Sequence, residues 1–284
     1  MESKLFALLP PEYVCTPDGM EIDRNGDLVL SCPNFADEKT SGCLLKVRKG
    51  DRKVTKWLDV PVHPETGVAR NMGIAFDRSK KNLFVCDNQG WSERPEVLYK
   101  GRILNDEGIE EWKTVAYHME HPNGVRYRNG YIYVTQSYMH PVKRPDGLLV
   151  SGVYRFREDE ENVEIHNDLT DRNLLCTFVT GNRNCAYGAD GIVFAPDGSL
   201  MVGNFGDGEV YRIILNQDGS VREQVPLYRN AAELQSTDGM CYDPAGNLYI
   251  ADFSANALCR ISPDGQVKRI ASSPDTDGLK GELN

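Results

Sequence analysis

Short runs of alternating apolar and polar residues, each closed by Gly, Pro, Asn or Asp, follow one another along nearly the whole chain. The stretch from Ser236 to Asp252 shows the unit most plainly. Asp238-Gly239 opens it, Met240 to Tyr242 alternates, Asp243-Pro-Ala-Gly-Asn247 is turn chemistry, and Leu248 to Ala251 is a second strand. The phrase returns at Asp190-Gly-Ile-Val-Phe194 and at Asp18-Gly-Met-Glu-Ile22, with looser copies from Asn71 to Phe76 and from Asn123 to Tyr127. The five openings Asp18, Asn71, Asn123, Asp190 and Asp238 are spaced by 53, 52, 67 and 48 residues. A period of about 40–50 belongs to propeller blades, and almost no segment carries the 3.6-residue helical period. The pattern predicts an all-β, radial array of four-stranded antiparallel sheets.

Each opening is followed by further strand-like runs. In the first unit these are 28–32, 42–47 and 54–58; in the second, 83–86, 97–101 and 112–116 follow 73–76. The third has 124–127, 131–135, 152–156 and 175–179. The fourth has 191–194, 200–203, 209–214 and 221–225, and the fifth ends with 257–261 and 266–270. The third unit is longer because of two insertions. Residues 137–147 carry two prolines and no strand pattern, so they form a loop that either covers one face of the propeller or merely lies on its surface. Residues 157–173 are acidic and polar, with a weak helical pattern. Gly203 to Gly208 is glycine-rich but links two strands, so it reads as a turn rather than a phosphate loop. Near the end, Gly278 to Asn284 resembles the approach to another opening, and Lys4 to Leu9 is apolar enough to add an outer strand there. Either the ring closes with five blades or it is a six-blade design with an incomplete last blade; the N-terminal outer strand favours the second, so the expectation is one domain over 1–284, a six-bladed β-propeller whose last blade is incomplete.

Composition narrows the partners. A hydrophobic content of 40% supports a packed core, while a formal charge of −10 argues against nucleic acid, whose phosphates need a basic face. The same charge is compatible with a bound cation, and solubility explains it equally well. The run before Pro10 is too short for a signal peptide, and no run approaches the roughly 18 apolar residues of a membrane helix, so a cytoplasmic chain without a membrane partner is expected. Eight cysteines without a C-x-x-C pair point to reduced thiols, with Cys86, Cys176, Cys241 and Cys259 set in apolar strand patterns.

The openings carry the candidate chemistry. Equivalent positions of a propeller point at one axis, and carboxylates converging there repel unless a cation neutralises them. Asp and Asn oxygens suit a hard cation such as calcium, with other divalent ions possible, whereas none of the five histidines opens a unit. Against this stands the simpler reading of Asp-Gly as an ordinary turn signal. Asn71, Asn123, Gln136, Tyr138, His140 and Asn204 lie at openings or after second strands and are the candidate contacts for a small-molecule substrate. Arg70 and Arg126 lie near openings too, but strand alternation turns them away from the axis. Gly-x-Ser-x-Gly is absent, which removes the commonest serine-hydrolase route.

The phrase from Asp238 to Ala251 resembles the fifth-blade motif of the gluconolactonase, senescence-marker-protein and luciferin-regenerating-enzyme family, related to diisopropyl fluorophosphatase. The resemblance spans the chain by blade spacing and is close in the last two units. It implies a six-bladed propeller with a catalytic calcium on its axis, and hydrolysis of lactones or organophosphates. Carried onto this sequence, the family's ligands fall on Asp18, Asn123, Asp190 and Asp238, with Asp238 also the catalytic carboxylate, as base or nucleophile. Two positions depart from the family pattern: Asp18 stands where Glu is usual, and Asp190 where Asn is usual. The resulting expectation is a calcium-dependent hydrolase of a lactone or related ester. The alternative is a non-catalytic propeller, its axial cation structural, that binds a ligand or a protein.

Overall fold

The computed structural model describes residues 4–90, 96–104, 108–229 and 232–272. The alternating runs become strands close to where periodicity puts them. The first sheet is β1 (Met20–Ile22), β2 (Leu28–Cys32), β3 (Cys43–Val47) and β4 (Val54–Asp59). The second is β5 (Asn71–Phe76), β6 (Asn82–Asp87), β7 (Glu96–Leu104) and β8 (Gly108–Met119). The third holds β9 (Pro122–Arg128), β10 (Tyr131–Gln136), β11 (Leu149–Arg157) and, after the two-residue β12 (Val163–Glu164), β13 (Leu174–Thr180). The fourth is β14 (Ala189–Phe194), β15 (Leu200–Asn204), β16 (Glu209–Leu215) and β17 (Val221–Arg229). The fifth is β18 (Met240–Tyr242), β19 (Leu248–Asp252), β20 (Ala257–Ile261) and β21 (Val267–Ser272).

The described residues therefore build five blades, which corrects the expected six. Lys4 to Leu9 forms no strand. Ala7, Leu9 and Val14 pack on Leu30, Cys32, Cys43, Leu45 and Val47, so the apolar N-terminal run covers the first blade instead of starting another. Residues 278–284, expected to approach a sixth opening, lie outside the described residues. The insertion at 157–173 is not helical: Val163–Glu164 joins β8 in parallel and gives the second blade a fifth strand. Gly203 to Gly208 is the turn its position predicts, a single 3-10 turn over Phe205–Asp207 that Gly208 closes in the left-handed region.

Two compact units divide the chain, one of Lys4–Val134 with Arg155–Asn167, the other of Thr135–Tyr154 with the residues from Asp168 onward. Each packs its own apolar faces. In the first, Val29, Leu44, Leu58, Ile74, Phe76, Leu83 and Val85 form a core against which Trp57, Tyr99 and Trp112 lean. In the second, Met201, Val210, Leu234, Met240, Leu248 and Ile250 do the same. The hairpins after the openings are fixed by one device: Asp23, Asp77 and Asp243 each accept the N–H four or five residues on, at 2.9, 3.1 and 2.9 Å, through a carboxylate oxygen. Of the cysteines set in apolar runs, Cys86 and Cys259 are buried and Cys176 is half-buried, but Cys241 is exposed, because the three-residue β18 turns it outward. Among the described residues, no helix is long and apolar enough to cross a membrane.

Candidate functional site

The glycines behind the openings exist for a different reason than the sequence suggests. None of Gly19, Gly73 and Gly191 adopts the left-handed backbone of a turn glycine. Each instead lies against the carbonyl of the neighbouring opening. A Cβ on Gly19 would sit 2.9 Å from the Met72 oxygen, one on Gly73 2.2 Å from the Asn123 oxygen, and one on Gly191 1.9 Å from the Asp238 oxygen. Inner strands thus approach backbone to backbone at the openings. The ladders slip at the same places: β5 is irregular between Asn71 and Ile74, and β14 between Ala189 and Ile192. Irregularities of this kind re-aim side chains at the end of a strand.

In the first unit the three openings differ in what their side chains do. Asp18 donates its N–H to the Ser31 carbonyl at 2.8 Å, and its carboxylate is held by the Gly19 N–H. Although part of its surface is open, the surrounding protein pushes the carboxyl up to about 6, the cost of leaving an anion short of water and of countercharge. Asn71 is fully buried, and its amide donates to Ser31 Oγ at 2.7 Å and to the Cys43 carbonyl at 3.0 Å, which ties the second opening to the first blade. Asn123 is half-buried on β9, and its side chain makes no hydrogen bond among the described residues.

In the second unit Asp190 is buried and its carbonyl accepts from Thr135 Oγ1 at 2.5 Å, while the partly exposed Asp238 pairs by its N–H with the Ala251 carbonyl at 3.0 Å. The Gly191 contact makes these two openings immediate neighbours. Gln136 is buried and donates to the Tyr138 carbonyl at 2.9 Å; Tyr138 and His140 meet edge to face at 5.5 Å. Asn204 is buried between Thr180 Oγ1, at 2.7 Å, and the Val179 carbonyl, at 3.1 Å.

Other polar residues hold the openings in place, a part that the sequence pattern did not show. Arg70 is buried and donates to the carbonyls of Pro33, Asn34, Asp37, Glu38 and Thr40, so it organises the β2–β3 loop. Its own N–H donates to Asp87 at 2.9 Å. Burial raises the Asp87 carboxyl, and that N–H together with Gln89 pulls it back. At the far end of the chain Asp252 plays the same part, accepting from the N–H groups of Gln235 and Ser236 at 3.0 Å each. Glu96 is the extreme case. It is 1% exposed, one carboxylate oxygen accepts the His121 N–H, and the other accepts no hydrogen bond. Burial carries its carboxyl well above the usual carboxylate range. His121 takes the left-handed conformation at φ 53° and lies with Nδ1 3.4 Å from Asn88 Oδ1. The signal for these residues was a polar residue ending a second strand, as at Asp87 and Asp252.

Among the described residues, no three His, Cys, Asp or Glu side chains gather as a metal-binding group. Asp18 by itself fits a hard cation, because its carboxyl carries a desolvation cost that a positive charge beside it would remove.

The family described as "SMP-30/Gluconolactonase/LRE-like region" matches residues 65–277, three quarters of the chain. A gluconolactonase structure from Xanthomonas campestris superposes with a TM-score of 0.59 at 19% identity, covering 91% of this chain and 77% of that one. A luciferin-regenerating enzyme gives 0.58 at 15% identity, with 91% and 77% covered. A PQQ-bound aldose sugar dehydrogenase from Streptomyces coelicolor gives 0.62 at 13% identity, with 91% and 82% covered. At such identities the likeness is one of fold. No curated protein matches the chain.

Proposed function

The chain belongs to the SMP-30/gluconolactonase/LRE-like family, and from that premise we propose that it hydrolyses a lactone or a related ester with the help of a divalent cation, calcium by preference. The family motif suggests as ligands Asp18 and Asn123 in one unit and Asp190 and Asp238 in the other, and the neighbouring openings Asp190 and Asp238 are the pair proposed to hold the ion. Bound there, the ion would polarise the carbonyl of the substrate. The observation that carries the reading is the family match over residues 65–277. The Asp18 carboxyl, pushed up to about 6 by burial, is a group whose ionised form a nearby cation would favour.

The remaining work falls to this chain's own groups. Asp238, partly exposed at the start of the fifth blade, accepts a proton from the attacking water. Its backbone is fixed on both sides, by Ala251 and by Gly191, which holds the residue in place at the start of the blade. Tyr138 and His140 supply an aromatic wall for the substrate's apolar side. Asn71, Gln136 and Asn204 spend their amides on the protein, so their part is to hold backbone rather than to touch substrate.

The test is a panel of sugar and aliphatic lactones assayed with and without EDTA, beside Asp238→Asn. Turnover that needs a divalent ion and falls at least 100-fold in the variant is the expected result. Undiminished turnover in Asp238→Asn refutes the catalytic assignment. Tight calcium binding without hydrolysis of any lactone or ester shows the non-catalytic alternative instead.

A further inference from the structure

We propose that Cys32 and Cys43 form a peroxide-sensitive dithiol, a modification site that closes to a disulfide across the β2–β3 hairpin of the first blade. The two residues are direct partners in the antiparallel register of β2 and β3. Partners of this kind hold their Cβ atoms about 4.5–5.5 Å apart, next to the spacing a disulfide requires. Both side chains lie in the same apolar cluster, 0% and 3% exposed, where no competing partner thiol from another molecule can reach them.

The chemistry around the pair is asymmetric. The Cys43 thiol donates to the Tyr13 carbonyl at 3.6 Å, and the Cys32 thiol hydrogen-bonds to Cys43. That hydrogen bond, with Lys56 nearby, lowers the Cys43 thiol from its ordinary value, while the same contact and burial hold Cys32 in its protonated form. Cys43 is therefore the nucleophile and Cys32 the resolving thiol.

The oxidant is hydrogen peroxide, small enough to enter where larger disulfides cannot. The Cys43 thiolate attacks one peroxide oxygen, the O–O bond breaks, hydroxide leaves, and Cys43 becomes a sulfenic acid. Cys32 then attacks that sulfur, the S–S bond forms, the S–O bond breaks, and the oxygen departs as water with the Cys32 proton. Two thiols are oxidised, one peroxide is reduced, and two waters result. Cys86 and Cys259 are equally buried but have no thiol as strand partner, and Cys15 and Cys241 are exposed. Oxidation that followed exposure alone would choose the last two.

The full chain, reduced and then exposed to a few equivalents of hydrogen peroxide, is alkylated under denaturing conditions and mapped by peptide mass spectrometry. The expected result is one internal link between Cys32 and Cys43, with Cys86 and Cys259 still alkylated, and loss of the link when the chain is oxidised in urea. Cys43→Ser should abolish the link, and Cys32→Ser should leave a sulfenic acid on Cys43 that dimedone traps. Should either variant fold poorly, the map of the native wild-type chain decides by itself. A map in which both cysteines remain alkylated, or in which either is linked to Cys15, overturns the proposal.

Discussion

Replacing Gly191 with alanine puts the role of the opening glycines to a quantitative test. The added Cβ would lie 1.9 Å from the Asp238 carbonyl oxygen, and nonbonded carbon–oxygen contacts below 3.0 Å essentially do not occur. The strands must part by about 1 Å, yet both sides are held. Asp190 is tied through its carbonyl to Thr135, Ala189 through its carbonyl to Ser137, and Asp238 through its N–H to Ala251. Overpacking a rigid site costs about 1–3 kcal/mol, and the stiffer unfolded chain returns about 0.4–1 of it. A net loss of roughly 1 kcal/mol in urea unfolding is expected. A displacement of about 1 Å at Asp238 would also lower hydrolysis ~100-fold. Gly50→Ala is the control, since nothing lies within 4 Å of a Cβ there and its backbone is not left-handed; it should be neutral or slightly stabilising. If Gly191→Ala unfolds at the same urea concentration as Gly50→Ala, the close approach does not select glycine, and the reasoning about the openings fails.

Three further outcomes follow from the buried polar groups. Arg70→Met removes five hydrogen bonds to the β2–β3 loop and should cost about 2–4 kcal/mol in denaturant unfolding, with a cost under 1 kcal/mol arguing that the loop holds itself. Glu96 has a raised carboxyl in the folded chain, so its contribution is fully present below its ordinary value of 4.5 and fades as pH climbs through the raised value. Glu96→Gln should then flatten the fall in stability above pH 4.5 and leave the variant the more stable once the pH exceeds the raised value; unchanged pH curves would show that the carboxyl is not perturbed. Asp18 moves from 3.8 to about 6, and its ionisation at neutral pH costs at most ~3 kcal/mol, a cost absent below 3.8 and complete above about 6. Asp18→Asn should gain up to that amount at pH 8 in EDTA and lose calcium-induced stabilisation in thermal melts, and equal calcium shifts in both proteins would remove Asp18 from the ligands that the family motif suggests.

How much of this was legible in the sequence depends on how far apart in the chain the causes lie. Strand positions were legible because alternation is local: β2 was expected at 28–32 and occupies Leu28–Cys32, and β20 was expected at 257–261 and occupies Ala257–Ile261. The blade number was not, because the N-terminal apolar run reads equally as a strand or a cover. Leu5, Phe6 and Leu8 remain exposed while Ala7 and Leu9 pack on the first sheet, an alternation without a ladder. Glu96 was invisible for a related reason: a charged residue at the start of a strand looks solvated, and only His121, 25 residues away, shows that it is capped and buried. Cys32 and Cys43 were each placed on the right strand, but the register that sets them opposite one another runs across a ten-residue loop that no local pattern fixes.

The openings combine both kinds of information, and this separates two roles that the sequence merges. Asp-Gly signalled the start of a unit correctly, although the glycine serves the strand next door and only the aspartate is proposed to take part in chemistry. At Asp238 the two roles belong to different atoms, the backbone carbonyl that meets Gly191 and the carboxylate proposed to take the proton. Asp238→Asn alters the second atom and leaves the first in place, whereas Gly191→Ala moves the first and leaves the second chemically intact. A protein that loses turnover but keeps its stability in Asp238→Asn, and loses both in Gly191→Ala, uses that aspartate as a reagent and its carbonyl as a joint. One that loses stability in both uses the residue only to hold two blades together.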